Sequence, residues 1–320
     1  MGNIVAKMRQ SMPHWHAQPG TSGPKIGAGL MKLGGSKLMS QVTGALLRAF
    51  FVALLVSLPA LLLPDISRDV AQVVTLLALI AAMVTFAEYS ATYPGLIQFR
   101  DAPPYNRIRF IVLFFLVLFL SLLARTDEIP TMFGLLIQAV AMNLGEALNF
   151  SYSPVRLLML SLPAGLDPAH VNMVLAAGAL AYTIGVIGLL GFFVAIFTGY
   201  WPQRHAQFNV WVNLPTFDPT AGLDVVQRLE RDAVVNIALG IVMPFMLPVL
   251  LRASTFLMQP ITLESPQSLV WGVSAWAFIP VSLIMRGIAM NRVAVMIREK
   301  RREIAAAEDL IPRPPQSVYS

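Results

Sequence analysis

Apolar residues run in long stretches along this chain, at 45–63, 70–89, 110–124, 171–201, 236–251 and 268–285, with charges kept to the gaps between them except Arg48 and Glu88, each near the end of its stretch. Stretches of this length match a helix crossing roughly 30 Å of hydrocarbon, which takes about 20 residues. The strand-period alternation of a membrane barrel does not recur, so helices are the expected spanning elements. The 110–124 run is short, but Arg109 and Arg125 flank it and their aliphatic stems extend its apolar length. The 171–201 run is long enough to tilt or to project from the membrane.

One further apolar stretch, 131–163, is ambiguous. It carries Asn143, Glu146 and Asn149 and is interrupted by Ser151-Tyr152-Ser153-Pro154. Charge parity bears on it, because Lys and Arg in short loops mark the cytoplasmic side. Of the 23 basic residues, 19 lie at 1–44, at Arg48, at 90–109, at 202–235 and from Arg286 onward. For those segments to share one side, the chain must cross 125–170 an even number of times. A single crossing by 132–150 turns the basic C-terminal cluster outward, and a second crossing at 154–166 has to carry Arg156 and Pro163. The expected arrangement is therefore a re-entrant or interfacial helical hairpin at 131–163, with a seven-span chain as the alternative.

The fold class expected is all-α: a polytopic integral membrane protein of about six transmembrane helices plus that hairpin. Residues 1–44, rich in Gly, Pro, Ser and Lys/Arg, read as a flexible basic cytoplasmic tail, followed by a first span that is not cleaved. The transmembrane helical domain occupies 45–285. Residues 286–320 read as a basic cytoplasmic helix ended by Pro312, Pro314 and Pro315.

Composition sharpens the class. Hydrophobic residues make up 56% and charged residues 12%, against about 25% charged in soluble domains. The absence of cysteine removes disulfides, thiolate metal sites and cysteine nucleophiles together. Basic residues are 18 Arg and five Lys, and Ala and Gly are abundant, a bias associated with GC-rich coding and so with a bacterium, whose inner membrane is the expected location; the placement of the basic segments puts both termini on the cytoplasmic side. The net charge of +6 is explained by insertion topology, so no nucleic-acid partner is expected.

Candidate chemistry is sparse. No P-loop, HExxH zinc site or intramembrane serine-protease pattern is present, and His14, His16, His170 and His205 make no metal-ligand spacing. No catalytic residue, metal or cofactor is expected. Glu146, Asn143 and Glu88 are the candidate functional polar residues near apolar surroundings. Gly178, Ala181, Gly185 and Gly188 put small side chains on one helix face, a packing surface for another span or another protein.

Two cytoplasmic stretches suggest docking. The loop 99–109 gathers Arg100, Asp101, Tyr105, Arg107 and Arg109 around a rigid Pro103-Pro104 pair. The 213–235 segment reads as an amphipathic helix with Leu223, Val226 and Leu229 on its apolar face, which must lie on the membrane, on the C-terminal helix or on a partner. Arg298, Arg301 and Arg302 have the density of segments that contact anionic head groups. The expected role is an accessory, assembly or scaffold component of a membrane complex, contacting anionic lipid and a membrane-protein partner. A small-solute transporter or channel, with Glu146 and the Pro-kinked fifth span lining its path, and a lipid-modifying membrane enzyme are the alternatives.

Overall fold

A computed structural model describes residues 26–92, 95–100, 104–126, 128–199, 213–214, 224–254 and 262–309, with side chains from 39 onward except at 254, 308 and 309. Among the described residues the chain is all-helical: α1 (Ile26–Leu62), α2 (Arg68–Ser90), α3 (Tyr105–Thr126), α4 (Met132–Leu148), α5 (Pro154–Leu160), α6 (Pro168–Phe197), α7 (Val225–Ser254) and α8 (Pro266–Asp309). Six of these, all but α4 and α5, are long and apolar enough to cross a membrane. The chain falls into two units, Met1–Thr43 and Gly44–Ser320. In the first, Thr43 Oγ1 donates to the Met39 carbonyl one turn back at 2.8 Å.

Helix starts follow local chemistry. The side chains of Ser67, Thr131, Ser153 and Asp167 accept from the first-turn amides Val70, Gly134, Val155 and Ala169. Pro154 and Pro168 follow two of these caps, where a missing N–H costs nothing. The helices overrun the apolar stretches that announce them. Residue 45, expected to begin the first span after the tail, is internal to α1, and the polar segments before 236 and after 285 continue the spans as parts of α7 and α8. Helix formers such as Gln227, Arg228, Glu230 and Arg298 propagate a helix as readily as the apolar run does once its hydrogen-bond ladder exists.

Close backbone packing joins α3 to α8 into one bundle, and α1 and α2 stand outside those interfaces. The core lies between α3, α6 and α8: Leu116, Val117 and Leu120 meet Val174, Ala177 and Ala181, with Val270, Val273 and Ala277 from the third helix, all buried. On α6 the run 176–181 is buried all the way round because its Ala and Gly residues let α3, α4, α5 and α8 approach it together. Outward-facing Leu76, Leu79, Met83, Ile187, Leu190 and Val242 are more than 45% exposed, the surface a hydrocarbon solvent covers.

Helices α3 and α6 are antiparallel, since Tyr105 at the start of α3 packs on Phe192 near the end of α6, and Val112 closes on Gly188. The chain between them therefore leaves and rejoins the bundle at the same end. Helix α4 descends along α6 with Gly134 beside Thr126 and Gly145 against Ala176. Helix α5 places Val155 and Leu158 at Gly178, and Leu162 then accepts from Arg252 Nη1 at 2.8 Å, back at the starting end. Gly178 lies about 15 Å into α6 at 1.5 Å per residue, so the turn between α4 and α5 reaches about that depth.

The most extensive interface pairs α7 with α8. Two glycines permit it: a Cβ on Gly240 meets the Pro280 carbonyl oxygen at 2.7 Å, and one on Gly287 meets the Ala233 carbonyl oxygen at 2.6 Å. The prolines inside α7 are integrated as well. Pro248 lacks the N–H that would bond the Pro244 carbonyl, and the buried Trp276 Nε1 of α8 donates to that oxygen instead, at 3.2 Å.

Candidate functional site

The site with the most built geometry is a crevice of about 1000 Å³ where α1, α2, the 96–98 loop, α3 and α8 face one another. Its frame begins at Glu88 in the last turn of α2. The carboxylate accepts from the amides of Gly95, Leu96 and Ile97 at 3.0 to 3.2 Å. Arg100 folds back in turn, its Nη1 donating to the carbonyls of Glu88 at 2.9 Å and Ala91 at 2.6 Å. Together they fold the loop onto the helix end.

The loop is then pinned from below. Phe99 holds a left-handed φ of 54° although it is not glycine, and it is fully buried with its ring 4.7 Å from that of Tyr105. Burial of an aromatic side chain, on the order of 2 kcal/mol, offsets a backbone strain of similar size. Asn106 Nδ2 donates to the carbonyls of Gln98 at 2.8 Å and Phe99 at 3.2 Å. Arg286 of α8 completes the frame by donating from Nε to Gln98 Oε1 at 2.9 Å and from Nη1 to Asn236 Oδ1 at 3.3 Å.

Four arginines line the crevice: Arg48, Arg107, Arg109 and Arg286. No carboxylate is among the lining residues, and none of the four has a carboxylate partner among the described residues. Arg48 lies with its guanidinium 4.6 Å from the Tyr89 ring centroid and donates to the Gly44 carbonyl. Arg109 sits 5.1 Å from the Tyr105 centroid and 5.9 Å from that of Phe278, and its Nε is buried with no hydrogen-bond partner. Thr85, Gln98, Asn106 and Ser282 add neutral polar groups, and the remaining walls are mainly apolar, with Phe51, Val52, Phe110, Ile111 and Leu283. Such a cavity is suited to an anion that carries an apolar body.

The structure sorts the expected site residues. Arg107 and Arg109 enter the crevice, whereas Arg100 is engaged with the end of α2. Tyr105, expected on a docking surface, is buried between Phe99 and Phe192, because its ring completes the aromatic cluster that anchors the loop. Asp101 and Leu223 lie outside the described residues. Val226 and Leu229 are buried against α8 with Ala233, so this apolar face is covered by the chain's own C-terminal helix. The ion pairs Arg298–Glu230 and Arg301–Asp224, the latter at 2.8 Å, flank it. Arg301 hydrogen-bonds the Asp224 carboxyl and holds it below the usual carboxylate range. Arg302 is exposed.

Gly178, Gly185 and Gly188 face Leu158, Val281 and Val112 of the same chain, and Ala181 is fully buried, so this stripe is consumed within the bundle. Asn143 and Glu146 are exposed on the side of α4 opposite its buried Gly134, Ile137, Ala141 and Gly145. Among the described residues no group of three or more His, Asp or Glu converges as a metal site. Arg48, Arg286, Gln98 and Asn236 are the residues that sequence reasoning did not assemble. The available signal was that Arg48 and Arg286 each lie at or near one end of an apolar run. No family model, characterised protein or solved structure matches this chain.

Proposed function

We propose that this chain is an accessory or scaffold subunit of a bacterial inner-membrane complex, with both termini cytoplasmic and the α4–α5 hairpin re-entrant from the outer leaflet. The observation that carries the reading is the paired extension of α7 and α8. Helix α8 has 44 residues, about 66 Å at 1.5 Å per residue, twice the thickness of the hydrocarbon. Its polar half is braced against the start of α7 by Val226, Leu229 and two ion pairs, so it leaves the bundle as a stiff arm. At and just beyond the end of the brace, Lys300, Arg302, Glu303 and the apolar Ile304 are exposed on the arm. A rigid arm ending in mixed charge around an apolar side chain is the anatomy of a docking element, a small apolar centre with a polar rim.

The position of Glu146 also favours a scaffold over a carrier. A carboxylate serving a solute path faces a bundle interior, and this one lies on the outer face of α4. A photo-crosslinking amino acid at Ile304 tests the reading in native membranes. One discrete heteromeric adduct, lost on Arg302→Glu, is expected; adducts to lipid or to this chain alone refute the docking role. Solute uptake by liposomes containing only the purified chain would replace it with transport.

A further inference from the structure

The crevice shares no lining residue with the docking arm at 298–304. We propose that it is a binding site for an anionic glycerophospholipid, whose phosphate lies among Arg48, Arg107 and Arg109 and whose acyl chains run along Phe51, Phe110 and Leu283.

Charge comes first. These guanidinium groups share one cavity with Arg286 and have no carboxylate to neutralise them among the described residues. Cations gathered beside apolar walls repel one another at reduced dielectric, and a bound anion removes that cost. Arg109 Nε is in addition a buried donor without an acceptor, and buried donors are nearly always paired in folded proteins. Phosphate oxygens accept from arginine forks in bidentate fashion, which meets both requirements.

The walls select the kind of anion. Phe51 and Phe110 have ring centroids 6.2 Å apart on two helices, and Leu283 joins them from a third. A soluble phosphate gains nothing from that surface, whereas an acyl chain buries about 0.8 kcal/mol per methylene against such a wall. Because α1 and α2 do not pack their backbones closely on α3 or α8, the cavity lies between helices whose outer faces carry the exposed apolar band. Chains can therefore continue from the cavity into surrounding lipid. A volume of about 1000 Å³ is at the top of the range of small-molecule pockets, roughly 300–1,000 Å³, and suits a head group with the upper part of its chains.

Native mass spectrometry of the full chain in mild detergent, titrated with phosphatidylglycerol or phosphatidylcholine of identical acyl composition, decides the matter. About a tenfold preference for phosphatidylglycerol is expected, and the double variant Arg48→Gln/Arg107→Gln should reduce it to about twofold. Both side chains are exposed, so the variant leaves no buried group unpaired; an unchanged melting temperature verifies the fold. The control pair Lys300→Gln/Arg302→Gln on the arm should keep the preference. Equal binding of the two lipids, a preference that survives in the crevice variant, or equal loss in the control pair would overturn the site. Displacement of the lipid by free glycerol 3-phosphate at matching concentration would overturn the lipid assignment in favour of a soluble phosphate.

Discussion

Trp276 should be needed because Pro248 is present, and the dependence can be measured. Pro248 removes the amide that would bond the Pro244 carbonyl, and the Trp276 indole N–H supplies the missing donor from α8 at 3.2 Å. Replacing Trp276 by Phe deletes that donor and also shrinks a side chain that is only 4% exposed. Leaving a buried carbonyl unpaired costs about 1–3 kcal/mol, and the smaller ring adds a packing loss of about 1 kcal/mol. Packing and hydrogen bonding are separated by a second substitution. In Pro248→Ala the alanine amide bonds the Pro244 carbonyl within α7, so the same Trp276→Phe change forfeits packing alone. The cycle should show a coupling of about 1 kcal/mol, within the range of interhelical hydrogen bonds measured in membranes, about 0.6 on average and 1.7 at most. Unfolding in mixed micelles, with the wild type, both single variants and the double variant under one denaturant series, provides the four free energies. If Trp276→Phe costs the same in both backgrounds, to within about 0.3 kcal/mol, the indole is not compensating for the proline.

Three further outcomes follow from the same geometry. Gly287→Ala places a Cβ 2.6 Å from the Ala233 carbonyl oxygen and from Ile237 Cγ1, so α7 and α8 must separate; a loss of about 1–3 kcal/mol in the same unfolding assay is expected, whereas Gly191→Ala, with open space around it, should be neutral or stabilising. The Asp224 carboxyl titrates below its ordinary value because it accepts from Arg301, so the contribution of this pair is complete above the ordinary Asp range and disappears as pH falls through the depressed value; the stability difference between wild type and Asp224→Asn should be present at neutral pH and vanish in acid. In this cysteine-free chain, single cysteines at Glu128 and Ala164 should react with an impermeant maleimide from one face of sealed vesicles and a cysteine at Arg302 from the other; labelling of 128 and 164 from opposite faces would refute the antiparallel relation of α3 and α6, and labelling of all three from one face would refute the crossings assigned to α6, α7 and α8.

The helical membrane class was legible because it rests on run length, which is a one-dimensional property. The end of each spanning helix was not. At 225–235 and 286–309 the hydrophobic run stops but the hydrogen-bond ladder does not, and the polar turns are held by the partner helix through Val226, Leu229 and the pairs with Glu230 and Asp224. Amphipathicity showed that Val226 and Leu229 need a cover without naming it, because the cover is a helix some 60 residues away in sequence. The stripe from Gly178 to Gly188 was visible as a close-packing face for the same reason that α6 can be buried all round, but its several neighbours, α3, α5 and α8, follow only from topology. The equally close approach at Gly240 and Gly287 carries no such pattern, since Gly240 is a lone glycine within its run and Gly287 falls just beyond the end of the last one.

The crevice shows how an arginine can serve two ends with one charge. Read along the chain, Arg48, Arg107, Arg109 and Arg286 lie near the ends of apolar runs, where the positive-inside rule alone would account for each of them. Orientation constrains only the side of the membrane, however, and is satisfied equally well by arginines spread over the perimeter of a bundle. Here they converge on one cavity, and the loop that precedes α3, the helix carrying Arg107 and Arg109, is itself locked by Glu88, Asn106 and Gln98. Holding like charges together opposes folding unless something of opposite sign enters. A locked loop, an unpaired Arg109 Nε and apolar walls are thus more than insertion requires. That excess is what separates a binding site from a topology signal, and the exposed pair Arg48 and Arg107 can be removed from it without disturbing the rest.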